Sequence, residues 1–317
     1  MHQLRSHLER EQLNMQETTI TPQVSKGQAE PKIMFKASMN DARLFRNLLG
    51  AISSLIEEAD FNATPEGIKL RSMDPSHIAM VDFEWPRTAF DSYQCTANTK
   101  LRLSVSNLLK LLKRTRSDES IEINYDETNK KLNITLKNKI TRKFITPTLE
   151  PSTEEVPTPK VPFSARVKLT AASLRDIIDD AQAISDNVKL EVEPDKFVVR
   201  ATGELSSALI EMDKGSDALL DMDLAYTVKC PQCNYTGTAS APVKKCPQCG
   251  SDKVTEKRDP AKATYNLNYL GEIIRAGSGA SEVTSLEFST NMPIKVEFEM
   301  PQQGRLLYYL APRIEAE

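Results

Sequence analysis

Histidine is scarce in this chain of 317 residues: His2 and His7 lie in a polar leader and His77 stands alone. No pair is available for a histidine metal site or a proton relay, which argues against hydrolytic and general-base chemistry. Nucleotide-binding loops are missing as well. Neither G-x-x-x-x-G-K-[ST] nor G-x-G-x-x-G occurs, so nothing cradles a pyrophosphate. No apolar run approaches the roughly 20 residues that a membrane helix needs. The opening MHQLRSHLEREQLNMQETT carries charge throughout and has no apolar stretch of the kind a secretory signal requires, so an intracellular protein is expected.

Hydrophobic residues make up 39% and charged residues 27%, the balance of a soluble globular protein. A length of 317 residues exceeds what one core usually supports, so two domains are expected. Net charge is -3 and the sequence pI about 5.9. Any contact with nucleic acid must therefore come from a local basic surface.

Four of the five cysteines fall in one stretch, VKCPQCNYTGTASAPVKKCPQCGSDKV, as two C-x-x-C pairs. Cys230, Cys233, Cys246 and Cys249 at this spacing form two tight knuckles, and four thiolates at tetrahedral positions suit one structural Zn2+ per chain. Two disulfides are the alternative; an intracellular setting and Gly250 after the second pair favour the metal. Four protein ligands close the coordination sphere, so such an ion organises a ribbon and leaves no position for a catalytic water. Cys95 reads as an ordinary half-buried thiol.

Self-similarity sets the domain plan. FKASMND from Phe35 and FSARVKL from Phe163 each precede an amphipathic helix, and PEGIKLRSMDPSHIAMVDF is matched by EPDKFVVRATGELSSALIEM at offsets of 128 to 129. Further on, SVSNLLKLLKR matches YNLNYLGEIIR at an offset of 162, pairing Leu108 with Leu270 and Lys113 with Arg275. The jump of 33 residues equals the length of 226–258, which holds the whole cysteine cluster. The expected order is a polar, disordered extension 1–33, a first domain 34–146, a proline-rich connector 147–162, and a second domain 163–317 interrupted by an inserted ribbon 226–258. Apolar alternation in SIEINYD, KLNITLKN, KFVVRA and IKVEFEM gives strands. Each half is then an antiparallel meander with two helices on one face, an α+β fold.

On the first helix Leu44, Phe45, Leu48, Leu49, Ile52, Leu55 and Ile56 face the sheet by spacing, while Arg43, Arg46, Asn47, Gly50, Ser53 and Ser54 occupy the opposite face. The second helix buries Val105, Leu108, Leu109 and Leu112 and turns out Lys110, Lys113 and Arg114, with no acid between Leu101 and Arg116. A solvated helix ordinarily mixes signs, so two acid-free faces point to a neighbouring polyanion. The matching helices of the second half offer Arg175 and Arg275 but add Asp176, Asp179, Asp180 and Glu272, which weakens the same reading there.

RSMDPSHIAMVDF at 71–83 and GRLLYYLAPRIE at 304–315 resemble the signatures of proliferating cell nuclear antigen, the sliding clamp of archaeal and eukaryotic replication, and FDSYQC at 90–95 is also similar. The resemblance covers about Met34 to Glu315 without the insertion. Met34 stands where that family begins, so residues 1–33 are expected to be an extension or the product of a misplaced start codon. The family resemblance implies a trimeric ring of two-domain subunits whose strands join across subunits and whose helices line a hole for double-stranded DNA. Such a ring tethers enzymes without catalysis of its own and is loaded by an ATP-driven clamp loader of the replication factor C type. Arg43, Arg46, Lys110, Lys113, Arg114, Arg175 and Arg275 would line the hole. DNA polymerase, flap endonuclease and DNA ligase would insert a short helix into a pocket beside the connector. By position that pocket draws on Met73, His77, Ile78, Met80, Val156, Pro293, Tyr309, Ala311 and Pro312. His77 also reads as a lone histidine at a strand start, and Met73 and Met80 as plain core. The setting would be cytoplasmic and nucleoid-associated in an archaeal-type cell, or nuclear in a eukaryote.

A competing class is a zinc-ribbon factor that contacts nucleic acid or a transcription partner through Lys244, Lys245, Lys253, Lys257 and Arg258, with the remainder as scaffold. The repeat arithmetic weighs against it, since the ribbon is the addition.

Overall fold

Four times the chain runs from a strand through a capping side chain into a helix. Strands Ile33–Met39, Thr99–Ser104, Ala165–Thr170 and Ala261–Asn266 lead into helices α1 (Ala42–Ser53), α2 (Val105–Leu112), α3 (Ala171–Gln182) and α4 (Leu267–Ser278). Asp41, Ser104, Thr170 and Asn266 cap them, each side chain accepting a backbone N–H of the first turn. These residue types satisfy donors that a helix start otherwise leaves open. The computed structural model describes residues 33 to 314. The extension expected over 1–33 lies, but for its last residue, outside the described residues.

Each repeat supplies five strands and then four. In the first repeat Ser92–Cys95, Ile33–Met39, Ser120–Asp126, Lys131–Lys137 and Arg142–Pro147 lie side by side in that order. The second repeat's five, Leu219–Leu224, Ala165–Thr170, Val283–Phe288, Ile294–Glu299 and Arg305–Leu310, follow the same order but do not stop there. Arg305–Leu310 pairs antiparallel with Ala79–Pro86 of the first repeat, Tyr309 opposite Met80 and Leu310 opposite Ala79. That pairing fuses the five to the first repeat's four (Ala79–Pro86, Gly67–Met73, Glu58–Thr64 and Thr99–Ser104) in one nine-stranded sheet. The second repeat's own four, Ser207–Asp213, Lys196–Thr202, Asn187–Val192 and Ala261–Asn266, form a separate sheet.

The inserted ribbon is a three-stranded sheet of Tyr235–Ala239, Tyr226–Cys230 and Thr255–Lys257. It stands between Leu219–Leu224 and Ala261–Asn266, where the first repeat passes directly from Ser92–Cys95 to Thr99–Ser104. The repeat therefore keeps all its strands and both its helices despite the insertion.

Apolar stripes of the helices meet the inner faces of the sheets. Phe45, Leu48, Leu49 and Ile52 of α1, Leu108 and Leu112 of α2, and Ile273 and Ile274 of α4 are each 5% exposed or less, in one cluster with Phe83, Trp85, Phe298 and Tyr308. The buried Tyr308 hydroxyl donates to Ala51 O at 2.7 Å, so a strand of the second repeat is tied to a helix of the first. Four residues depart from the expected helical pattern: Ile56 lies beyond α1 although it is buried, and Leu44 is only half-buried. Leu55 falls beyond α1, which ends at Ser53. Leu109 is only half-buried, because a helix on one sheet covers a limited stripe and Leu109 lies at its margin.

Candidate nucleic-acid interface, docking row and metal centre

Helices α1 and α2 pack together, with α4 along the other side of α1. Between them runs an open groove of about 590 Å³ lined by Arg46, Gly50, Ser53, Leu109, Lys110 and Lys113, with Ala276 and Gly279 as its far wall. Asn47 Nδ2 donates to Gly279 O at 2.8 Å and fixes that wall to α1. Small residues let a bulky ligand approach the backbone, and Leu109 is half-exposed because it belongs to this groove as well as to the core. Arg46 bonds only neutral acceptors, Thr115 O at 3.0 Å and Asn47 Oδ1 at 2.8 Å. Lys110, Lys113 and Arg114 have no ion pair among the described residues. This surface therefore keeps its positive charge.

The other expected cations are neutralised within the chain. Arg43 closes on the cap residue Asp41 at 2.7 Å, and its hydrogen bond holds the Asp41 carboxyl below the ordinary value, against the opposing effect of burial. Arg175 lies 3.1 Å from Asp176. Arg275 is held by Glu272 at 2.7 Å, Asp179 at 3.0 Å and Gln182 Oε1 at 2.8 Å. The hydrogen bond to Glu272 raises the guanidinium above the usual arginine range. Acids placed on the same helix faces produce these clamps, and the sequence had shown those acids without showing that they close.

The residues expected to take partners converge on the outer side of the nine-stranded sheet. Met73 pairs with Met80, Met80 with Tyr309 and Tyr309 with Lys295, which makes one cross-strand row over both repeats. Ala311 N donates to Ile78 O at 2.9 Å, Pro312 follows, and Pro293 stands one step beyond the Ile294–Leu310 pair, beside Ala311. Met73, His77 and Val156 also line a cleft of about 490 Å³ under the connector. The connector is fixed over this cleft by Leu149 N to Arg102 O at 2.9 Å and Ser152 N to Asp60 Oδ2 at 3.1 Å. Met80 departs from expectation: at 3% exposure it is a floor under the row rather than an open contact.

Sequence reading missed the residue that shapes this rim. Asp74, 4% exposed, accepts N–H bonds from Ser76 (3.0 Å), Ile78 (2.7 Å) and Ala79 (2.6 Å), and the Tyr269 hydroxyl of α4 at 3.3 Å. Burial would raise its carboxyl, but these donors hold it below the ordinary value. The loop turns through His77 at φ 55°. An Asp followed by Pro75 is a turn signal that could have revealed it.

In the ribbon, Cys230 ends a strand, and the second pair sits in a knuckle closed by Gly250 N to Cys246 O at 2.9 Å and Cys246 N to Ser251 O at 2.8 Å. Gly250 has φ 72°, which favours glycine. Gly237 leaves room for a neighbouring ring: a Cβ there would lie 2.2 Å from the Tyr235 hydroxyl, and the Tyr235 side chain would have to swing aside. The four Sγ atoms lie within 4.8 Å of one another, with Cys230 to Cys249 at 3.7 Å and Cys233 to Cys246 at 3.6 Å. A tetrahedron of ~2.3 Å metal–thiolate bonds has edges of about 3.8 Å, whereas a disulfide needs ~2.05 Å. The set fits a metal ion and excludes the disulfide pairing. Burial opposes ionisation of Cys246, but amide hydrogen bonds from Cys249 and Gln248 bring its thiol down to about 6. Burial pushes Cys233 up to about 12.

Two of the edge strands correspond to the pair that joins the repeats inside the chain. Arg142–Pro147 pairs only with Lys131–Lys137, and Ser207–Asp213 only with Lys196–Thr202. Ile145 and Leu209 project from them, 64% and 54% exposed. By repeat equivalence these edges are the counterparts of Arg305–Leu310 and Ala79–Pro86, the pair that joins the two repeats inside the chain. The first edge is flanked by Lys130, Lys131, Lys137, Lys139, Arg142 and Lys143 with no acid between Glu127 and Glu150; Glu150, Glu122 and Glu119 pair with Lys130, Lys137 and Arg142, which leaves Lys131, Lys139 and Lys143 without an ion pair among the described residues. The second is flanked by Glu204, Glu211, Asp213, Asp217, Asp221 and Asp223, of which Glu211 is held by Lys196.

Comparison with known proteins agrees with this architecture. Residues 34–152 match the family profile described as proliferating cell nuclear antigen, N-terminal domain, and 235–313 match its C-terminal domain. The chain is 30% identical over 282 residues to a DNA polymerase sliding clamp of Nitrosopumilus maritimus, covering 89% of this chain and 99% of that protein. It is 28% identical over 281 residues to the clamp of Pyrococcus furiosus, covering 89% and 99%. A crystal structure of PCNA from Thermococcus kodakaraensis superposes with a TM-score of 0.74 at 22% identity, over 88% of this chain and all of that one. A PCNA2–PCNA3 complex from Sulfolobus tokodaii gives 0.72 at 21%, covering 88% of this chain and 100% of that one.

Proposed function

The chain belongs to the proliferating cell nuclear antigen family of DNA sliding clamps, and we propose that three copies of it close head to tail into a ring around duplex DNA. The observation that carries this is the internal junction. Arg305–Leu310 with Ala79–Pro86 builds a nine-stranded sheet. A neighbour's Ser207–Asp213 laid on Arg142–Pro147 would build the same sheet from equivalent strands. Basic flanks meet acidic ones in that contact, both on one chain, which favours identical subunits. Covering the edges also removes an aggregation hazard.

In such a ring the groove with Arg46, Lys110 and Lys113 faces the hole and Arg114 adds charge, while small and apolar neighbours make no base-specific grip. That combination permits sliding. The protein performs no chemistry in this role. Enzymes such as polymerase, flap endonuclease and ligase dock by short apolar motifs on the row of Met73, Met80 and Tyr309 and are held near DNA at high effective concentration. The four thiolates hold zinc, which closes the ribbon and leaves no reactive position.

Light scattering after size exclusion, followed by retention on circular DNA in the presence of a clamp loader, tests the reading. Three chains per particle and retention lost on linearising the DNA are expected. A persistent monomer with Ile145→Asp behaving like wild type would overturn it.

A further inference from the structure

The ribbon has a second face, opposite the four thiolates. Side chains alternate along its strands, and the register sorts them. Cys230 pairs with Tyr235 and Val228 with Gly237 on the metal side. On the other side, Thr227 pairs with Thr238 and with Lys257, while Lys229 pairs with Thr236 and with Thr255. That face therefore consists of two cross-strand rows, Thr238–Thr227–Lys257 and Thr236–Lys229–Thr255, built from threonine and lysine alone. Thr227 is half-buried and the others are exposed. The strands place no acidic, apolar or aromatic side chain there.

We infer that this threonine and lysine face of the ribbon is a second, sequence-independent contact for the phosphate backbone of duplex DNA, separate from the helix-lined groove. Charge supports the assignment. The whole chain is at -3, yet the ribbon carries Lys229, Lys244, Lys245, Lys253, Lys257 and Arg258 against Asp252 and Glu256. A zinc tetrathiolate, with its net charge of about -2, leaves the ribbon positive. Lys229 lies at the centre of its row and has no ion pair among the described residues. Three acids border the face: Asp259 holds Lys257 at 2.9 Å, reaches Thr227 and acts through space on Lys229, while Asp223 and Glu287 line the cleft that Thr238 shares with the second repeat; Lys229 is the cation of the face on which no acid closes. Hydroxyl and ammonium donors match phosphate oxygens. Single-stranded binding platforms need exposed aromatic rings for stacking, and Tyr226 and Tyr235 both occupy the opposite face.

The face does not depend on ring closure, and neither does its test. Zinc-loaded full-length protein carrying Lys110→Ala, Lys113→Ala and Arg114→Ala, which strips the groove surface of its free cations other than Arg46, is titrated with a fluorescent linear duplex. Adding Lys229→Glu should weaken the remaining binding by about 5-fold and lower the slope of log affinity against log salt by about 1. Thr236→Glu, on the same row, should act in the same direction. Both variants are checked for one zinc per chain, so a loss of binding reports on the face rather than on unfolding. Unchanged affinity and salt slope with zinc retained in either variant would overturn the inference. So would tighter binding of a single strand with the same number of phosphates.

Discussion

The two repeats have the same helices, caps and strand order, yet they treat their cations differently. In the first, Lys110, Lys113 and Arg114 are unpaired among the described residues and Arg46 meets only neutral acceptors. In the second, Arg275 is held by two acids and Arg175 by one. Duplication thus preserved the scaffold and left one copy with a basic surface that no acid of the chain closes on. Exposed ion pairs contribute little stability, so the clamps on Arg175 and Arg275 matter mainly for what they withdraw from a ligand.

The sharpest way to break this contrast is neutralisation. Replacing Lys110, Lys113 and Arg114 together by alanine should reduce affinity for duplex DNA more than 10-fold at about 0.1 M salt and flatten the salt slope by about 2 to 3. Arg175→Ala with Arg275→Ala should stay within about 2-fold, because those charges are already spent on internal acids. Equal losses for the two sets, read by fluorescence anisotropy, would erase the distinction between the repeats.

The repeats also differ in that, among the described residues, only the second carries the four-cysteine ribbon, and chelation separates guest from host. Zinc removal should melt residues 226–258 locally, seen as lost hydrogen-exchange protection there, and weaken linear duplex binding by about 5-fold through the lost threonine and lysine face. Particle mass should not change, since the repeat's core positions lie outside the insertion. Dissociation on chelation would show that the ribbon supports the ring.

Freeing the second repeat's arginine sharpens the contrast from the other direction. Asp179→Asn with Glu272→Gln leaves Arg275 with neutral partners, the condition Arg46 enjoys. Duplex affinity should then rise about 2- to 3-fold with a steeper salt slope. No change would mean that Arg275 points away from the ligand whatever its charge.

Much of this architecture was legible in the chain. Offsets of 129 and 162 located the ribbon as an insertion, and C-x-x-C spacing found the four-cysteine set, because both are local or periodic signals. Partners brought together by tertiary folding were not legible. Asp74 lies 195 positions from Tyr269, and the junction of Tyr309 with Met80 joins distant strands, so no window along the sequence contains either. Leu109 was misassigned because helical periodicity reports the apolar stripe but not where a neighbouring helix stops covering it. The open edges escaped for the same reason: alternation marks a strand and is silent about whether a partner lies beside it.

The smallest effect lies at Arg43, the cation paired with an acid among those expected on the first repeat's helix faces. Asp41 does two things at once, capping α1 through Arg43 N at 2.9 Å and binding the Arg43 guanidinium at 2.7 Å. Its carboxyl sits below the ordinary value, chiefly through the Arg43 hydrogen bond. A folded value below the unfolded one means the contribution is complete above about pH 5 and fades as pH falls through about 4 toward the folded value. Asp41→Asn keeps a capping side chain and removes the ion pair. Urea midpoints at neutral pH should therefore fall only slightly, and less steeply than wild type between about pH 5 and 3. Asp41→Ala loses the cap as well, at about 1 kcal/mol. In the Asn variant the freed Arg43 should steepen the DNA salt slope by up to about 1. If the slope stays where it was, Arg43 lies beyond reach of the phosphates, and the basic surface reduces to Arg46, Lys110, Lys113 and Arg114.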